Sequence, residues 1–162
     1  MRKAVLIILA MLSFFSVKAQ ENNAKAGGPP KPSELIGFWK KVELPQEKEL
    51  NKVNPWPQKF QWFCFQANGK VYSMMSDADH DYSSTDLERI FDMLPADKTP
   101  DYNLDGQFLT IDNKEIRNYK ELWGVNLFAV DLNEIIKKGN LIMSLDDGNG
   151  NVIYYRLLKR IE

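Results

Sequence analysis

From residue 35 onward, turn residues cut the chain into short apolar runs, and this rhythm restricts the fold more than any other feature. Asn68-Gly69 separates 60–66 (FQWFCFQ) from 70–75 (KVYSMM). Lys138-Gly139-Asn140 precedes 141–146, and Gly148-Asn149-Gly150 precedes 151–159 (NVIYYRLLK). Asn-Gly accepts the left-handed backbone of a two-residue hairpin turn, so the first pair is the strongest hairpin signal in the chain. Adding 35–44, 107–112, 115–120 (reached through Asn113-Lys114) and 123–130 makes eight expected strands. Short links between successive strands favour an antiparallel barrel or sandwich, because a parallel pair needs a long crossover. In 35–44, Ile36, Phe38, Val42 and Leu44 share one face, and Gly37 and Trp39 the other. The run 60–66 is apolar on both faces, as a strand covered from two sides would be.

One helix interrupts the strands. Thr85-Asp86-Leu87-Glu88 fits a capping box, Leu87, Ile90, Phe91 and Leu94 form a single apolar stripe, and Pro95 ends it. Such a stripe must pack on something: the mouth or outer wall of the sheet, or a partner protein.

The N-terminus reads as an address. Arg2 and Lys3 are followed by an uncharged run from Ala4 to Val17, then Val17-Lys18-Ala19, a small-x-small cleavage pattern before Gln20. The apolar stretch is too short for a permanent span, so residues 1–19 are expected to be a secretory signal peptide, with no membrane anchor after cleavage. The expected location is periplasmic or extracellular. Residues 20–33 (QENNAKAGGPPKPS) read as a disordered leader, and 34–162 as one domain. Removing Arg2, Lys3 and Lys18 takes the formal charge from −1 to −4. Without a basic excess, nucleic acid is a poor partner. A single Cys64 between two Phe excludes an internal disulfide and reads as a buried thiol.

Gly37-Phe38-Trp39, after Glu34-Leu35-Ile36, resembles the Gly-x-Trp signature of the lipocalins. Over 34–160 the chain is similar to a lipocalin-like, calycin-type secreted barrel of a largely uncharacterised bacterial kind. The resemblance implies an eight-stranded antiparallel barrel, here with one inserted helix between the third and fourth strands, in the segment 76–106. It implies that Gly37 and Trp39 close one end of the barrel. A basic residue of the last strand would lie across the Trp39 ring: Arg156, or Arg160 in its place. The first long loop, 45–59, would partly lid the mouth, with Trp56 between Pro55 and Pro57 as its gate.

A barrel of eight strands is either filled by side chains or holds one small ligand. The candidate lining residues are Trp56, Trp62 or Phe63, Tyr72, Phe108, Tyr119, Phe128, Met143, Tyr154 and Tyr155. Alternation decides which of them share a face, not which face points inward. Tyr and Trp would add polar handles to an apolar cavity, so the expected partner is a small hydrophobic or amphipathic molecule. The rival is a filled barrel that acts through 76–106 as a calcium-stabilised module or as an interaction module for another exported protein.

Calcium is the one cofactor with a pattern. Asp101, Asn103, Asp105 and Gly106, with Asp112 as the twelfth position, match a calcium-loop spacing, and Asp77, Asp79, Asp81 and Glu88 match it less well. No nucleophile elbow, phosphate loop or dinucleotide fingerprint occurs, and the single His80 reads as a loop residue, so no enzyme is expected.

Overall fold

The computed structural model describes residues 26–44, 46–113 and 119–162; the signal-peptide assignment for 1–19 and the first part of the leader lie outside them. Nine strands form one antiparallel sheet. They are β1 (Gly27–Gly28), β2 (Gly37–Val42), β3 (Phe60–Phe65), β4 (Val71–Ser76), β5 (Asp101–Asp105), β6 (Phe108–Asn113), β7 (Tyr119–Phe128), β8 (Leu141–Asp146) and β9 (Val152–Ile161). The order is β4-β3-β2-β9-β8-β7-β6-β5, with β1 paired to the end of β7. The sheet curls into a half-barrel whose edge strands touch at one place. There Lys70 bridges Asp101, and Val71 and Tyr102 donate to the carbonyls of Pro100 and Gly69 at 3.0 and 2.7 Å.

Two strand assignments change. Expected strands 115–120 and 123–130 meet in one long β7, paired without a break from Asn113↔Tyr119 to Phe108↔Gly124 along β6. Residues 114–118 lie outside the described residues. Conversely, 101–105, read as a cation loop, is β5, joined to β6 through Gly106 at φ 57°. The fragment 26–33, expected in a disordered leader, carries structure: β1 pairs with Leu127 and Phe128, and Pro32–Leu35 forms a helical turn, α1. Gly27 lies so close to β7 that a Cβ there would sit 2.3 Å from the Leu127 carbonyl oxygen.

The concave face buries Leu35, Trp39, Phe63, Phe65, Val71, Leu109, Trp123, Val125, Leu141, Met143, Tyr154 and Leu158. The convex face is covered as well. A helix, α3 (Ser84–Asp92), lays Leu87 and Phe91 on Trp62, Cys64 and Tyr72. Over the central strands, Ile136 joins Leu44 and Leu157, with Leu50 of the short helix α2 (Glu47–Leu50) packed alongside. The two-sided apolar character of β3 therefore has the origin expected from its sequence. The helix starts earlier than expected, because Ser83 and Asp86 offer the same three-residue spacing as Thr85 and Glu88. The Ser83 hydroxyl accepts from the Asp86 amide at 3.2 Å, and the Asp86 carboxylate accepts from the Ser83 amide at 3.1 Å. Leu94 lies past the helix end and is exposed. No helix of the described residues is long and apolar enough to cross a membrane.

Cys64 is buried beneath α3, and burial, with Asp92 and Glu88 adding to it, pushes its thiol from the ordinary 9.0 up to about 11. Two pH units reduce the thiolate fraction at pH 8 by about 100-fold, and the thiolate is the reactive form. Alkylation by iodoacetamide at pH 8 is therefore expected to be at least that much slower in the native protein than in urea. Equal rates would mean that α3 does not cover the thiol.

Candidate functional site

One end of the half-barrel is closed by the signature residues. The Trp39 ring is buried, and its Nε1 donates to the Leu35 carbonyl at 2.8 Å. The basic residue across it is Arg160, its guanidinium carbon 4.5 Å from the ring centroid; the assignment to Arg156 is corrected. Register explains the choice: Arg160 is the residue of β9 directly opposite Trp39. Arg160 also donates from Nη1 to the Ile36 carbonyl at 2.8 Å and from Nη2 to the Glu34 carbonyl. Gly37, at φ +126°, makes room, since a Cβ there would stand 2.7 Å from Arg160 Nη1.

Arg156 lies deeper. It is four residues back along β9 and opposite Met143, which places it on the concave face with Tyr154 and Leu158. Only 2% of it is exposed. Aromatic rings enclose its guanidinium: Trp56 at 4.4 Å, Phe63 at 4.5 Å, Trp123 at 4.8 Å and Tyr154 at 5.6 Å. The negative ring faces favour a cation, and more so out of water. Burial nevertheless pushes the Arg156 pKa down, opposed by Tyr154, Glu121 and Glu47. Among the described residues, Arg156 Nε and Nη2 have no hydrogen-bond partner.

Glu121 is the acid of this cage. It accepts from Trp123 Nε1 at 2.7 Å. Burial raises its pKa, while the Trp123 bond and the Arg156 charge lower it. Glu121 and Trp123 were not among the expected lining residues. The alternation Glu121, Trp123, Val125, Leu127 was available, but a strand break placed between 120 and 123 hid its phase.

Trp56 comes from the loop between β2 and β3. The loop is anchored at its start, where the Asn51 side chain behaves like a strand neighbour of β9. It accepts from the Tyr155 amide at 2.7 Å and donates to the Tyr155 carbonyl at 3.3 Å. Lys52 and Val53 donate to the Ile153 carbonyl at 3.1 and 3.4 Å. Beyond them Val53, Asn54, Pro55 and Pro57 are exposed, and half-buried Trp56 turns inward against Trp123 (5.6 Å) and Tyr154 (5.3 Å).

The expected lining residues therefore divide. Trp56, Phe63, Met143 and Tyr154 belong to the concave face. Trp62 and Tyr72 face outward under α3 and the preceding segment, where Trp62 meets Tyr82 and His80, and Tyr72 meets Phe91. Phe108 is on the convex face and 47% exposed. Phe128 and Tyr155 pack outward around Leu44 and Leu157. Tyr119 begins β7 opposite Asn113, and its side chain lies outside the described residues. Each outward residue is one pleat out of phase with the interior, and a one-residue change of phase exchanges the faces.

The cation-loop assignment for Asp101, Asn103, Asp105 and Asp112 is corrected as well. The first three alternate along one face of β5, too spread out to wrap one ion, and Asp112 stands opposite Asp101 on β6. Asp101 pairs with Lys70 at 2.6 Å and Asp112 with Lys120 at 3.1 Å. In the second acidic stretch, Asp79 pairs with Lys40 at 2.7 Å, which pins the 77–83 segment to the convex face. No cluster of three or more metal-ligating side chains occurs among the described residues.

No protein-family profile, curated protein or solved structure matches the chain.

Proposed function

We propose that this is an exported, non-enzymatic binding protein of lipocalin-like type, holding a small, partly apolar ligand in the concave face of its sheet. One observation carries the reading. Trp56 is contributed by a loop segment whose neighbours Val53, Asn54, Pro55 and Pro57 are exposed, yet its ring stands inside the aromatic cage over Arg156. A core residue is normally placed by a strand or helix. A ring delivered by a long loop anchored at its start is a plug that loop movement withdraws. Withdrawing it would open a site lined by Trp123, Phe63 and Tyr154 with a few polar groups, the usual make-up of a small-molecule pocket. The export assignment rests on the charged and apolar segments of residues 1–19. The rival interaction module needs an exposed stripe on α3, and Leu87 and Phe91 are instead buried against the sheet.

Native mass spectrometry of residues 20–162, purified from the exporting cell, is expected to show a small molecule that is lost on denaturation. Trp56→Ala should lose that molecule during dialysis and lower Tm by only a few degrees, because the ring is a gate at the rim of the core. Full retention with a large fall in Tm would make Trp56 a packing residue and overturn the gate.

A further inference from the structure

Arg156 specifies the ligand more closely, and the argument rests on the binding reading above. An arginine that served only to fill the core would have its five N–H groups satisfied, since a buried polar group without a partner is costly. Here the side chain is 2% exposed and two nitrogens have no partner among the described residues. They are Nε and Nη2. These two lie on the same edge of the planar guanidinium, and their N–H bonds run parallel, a spacing that matches the two oxygens of a carboxylate. Tyr154 and Glu121 support the positive charge without meeting that edge. Trp56 covers one face of the group, and in the binding reading it leaves with its loop.

Around this fork the walls are almost wholly apolar: Phe63, Trp123 and Met143, with the Tyr154 ring. A further unpartnered buried atom, Gln61 Oε1, belongs to a residue of the same concave face, two positions from Phe63 on β3. We propose that the ligand is an apolar monocarboxylate, its anionic group held by Arg156 Nε and Nη2 and its apolar body by the Phe63, Trp123 and Tyr154 rings. Neutralising the guanidinium supplies the two missing hydrogen bonds, so an acid is favoured over an uncharged molecule of the same shape.

The test compares 3-phenylpropanoate with 3-phenylpropanamide, which differ in the charge of one group, by calorimetry at pH 7 with residues 20–162. Trp56 and Trp123 fluorescence gives a second readout. The wild type is expected to bind the acid at least tenfold more tightly than the amide. Arg156→Met should abolish that preference, and Arg156→Lys, a point charge without the fork, should retain only part of it. Circular dichroism verifies that each variant is folded, and the wild-type preference stands without any variant. Equal binding of acid and amide, or an undiminished preference in Arg156→Met, would overturn the carboxylate assignment and leave the binding reading standing. Binding of neither probe to the wild type would overturn both.

Discussion

Trp39→Ala should lower the free energy of unfolding by about 3–5 kcal/mol, the usual cost of truncating a fully buried large aromatic. Three effects coincide at this position. The ring has no exposed surface and belongs to the main concave cluster, so its loss leaves a void that the sheet cannot collapse to fill. The hydrogen bond from Nε1 to the Leu35 carbonyl disappears, which frees α1 from β2. Arg160 loses the ring beneath its guanidinium and keeps only the carbonyls of Ile36 and Glu34. Chemical denaturation monitored by circular dichroism is the measurement. A loss below about 1 kcal/mol would mean that this end of the half-barrel is not closed by Trp39. Gly37 belongs to the same cap, and any side chain there must displace Arg160 from a backbone at φ +126°.

Phe91→Ala should cost about 3 kcal/mol or more, and it should do so by releasing α3. Phe91 is 1% exposed, stacked 6.4 Å from Phe38 and tilted 5.7 Å from Tyr72. With Leu87 it supplies the two fully buried side chains of the helix. A nine-residue helix is too short to persist in water without tertiary packing, so loss of one of two anchors undocks it. Cys64 lies under the same ring cluster. Its alkylation at pH 8 should therefore accelerate by an order of magnitude or more as stability falls. A fall in stability with an unchanged thiol rate would show that α3 stays docked without Phe91. An unchanged stability would show that the helix is held from elsewhere.

Local chemistry accounts for what could be read in advance. Asn68-Gly69 makes its turn because Gly69 takes φ 81° and the Asn68 side chain accepts from the Lys70 amide. The apolar stripe of 84–92 docks on a wall, as a 3.6-residue period requires. Two errors share one cause. The alternation of Asp101, Asn103 and Asp105 is at once a cation-loop spacing and a strand period, and only the pairing with β6 selects the strand. The eight principal strands come out at the expected number because that missed strand offsets the merging of two into β7.

Arg156 and Arg160 show where reading along the chain stops. Both are basic, both belong to the last strand, and four residues keep them on one face. Which of them meets Trp39 depends on the β2–β9 register, a long-range pairing that neither segment encodes alone. The same holds for Trp62 and Phe63, adjacent residues that face opposite sides of the sheet.

The antiparallel β class, the hairpin at Asn68-Gly69 and the helix within 76–106 were legible along the chain, because each depends on turn chemistry or periodicity within a few residues. Closure by Gly37 and Trp39 was implied only by the family resemblance. The tertiary structure alone decided which faces point inward, the exchange of Arg156 for Arg160, and the gathering of Trp56, Phe63, Trp123 and Tyr154 around one guanidinium. Those depend on strand register and on the burial of charge, and both are properties of residues far apart in the chain.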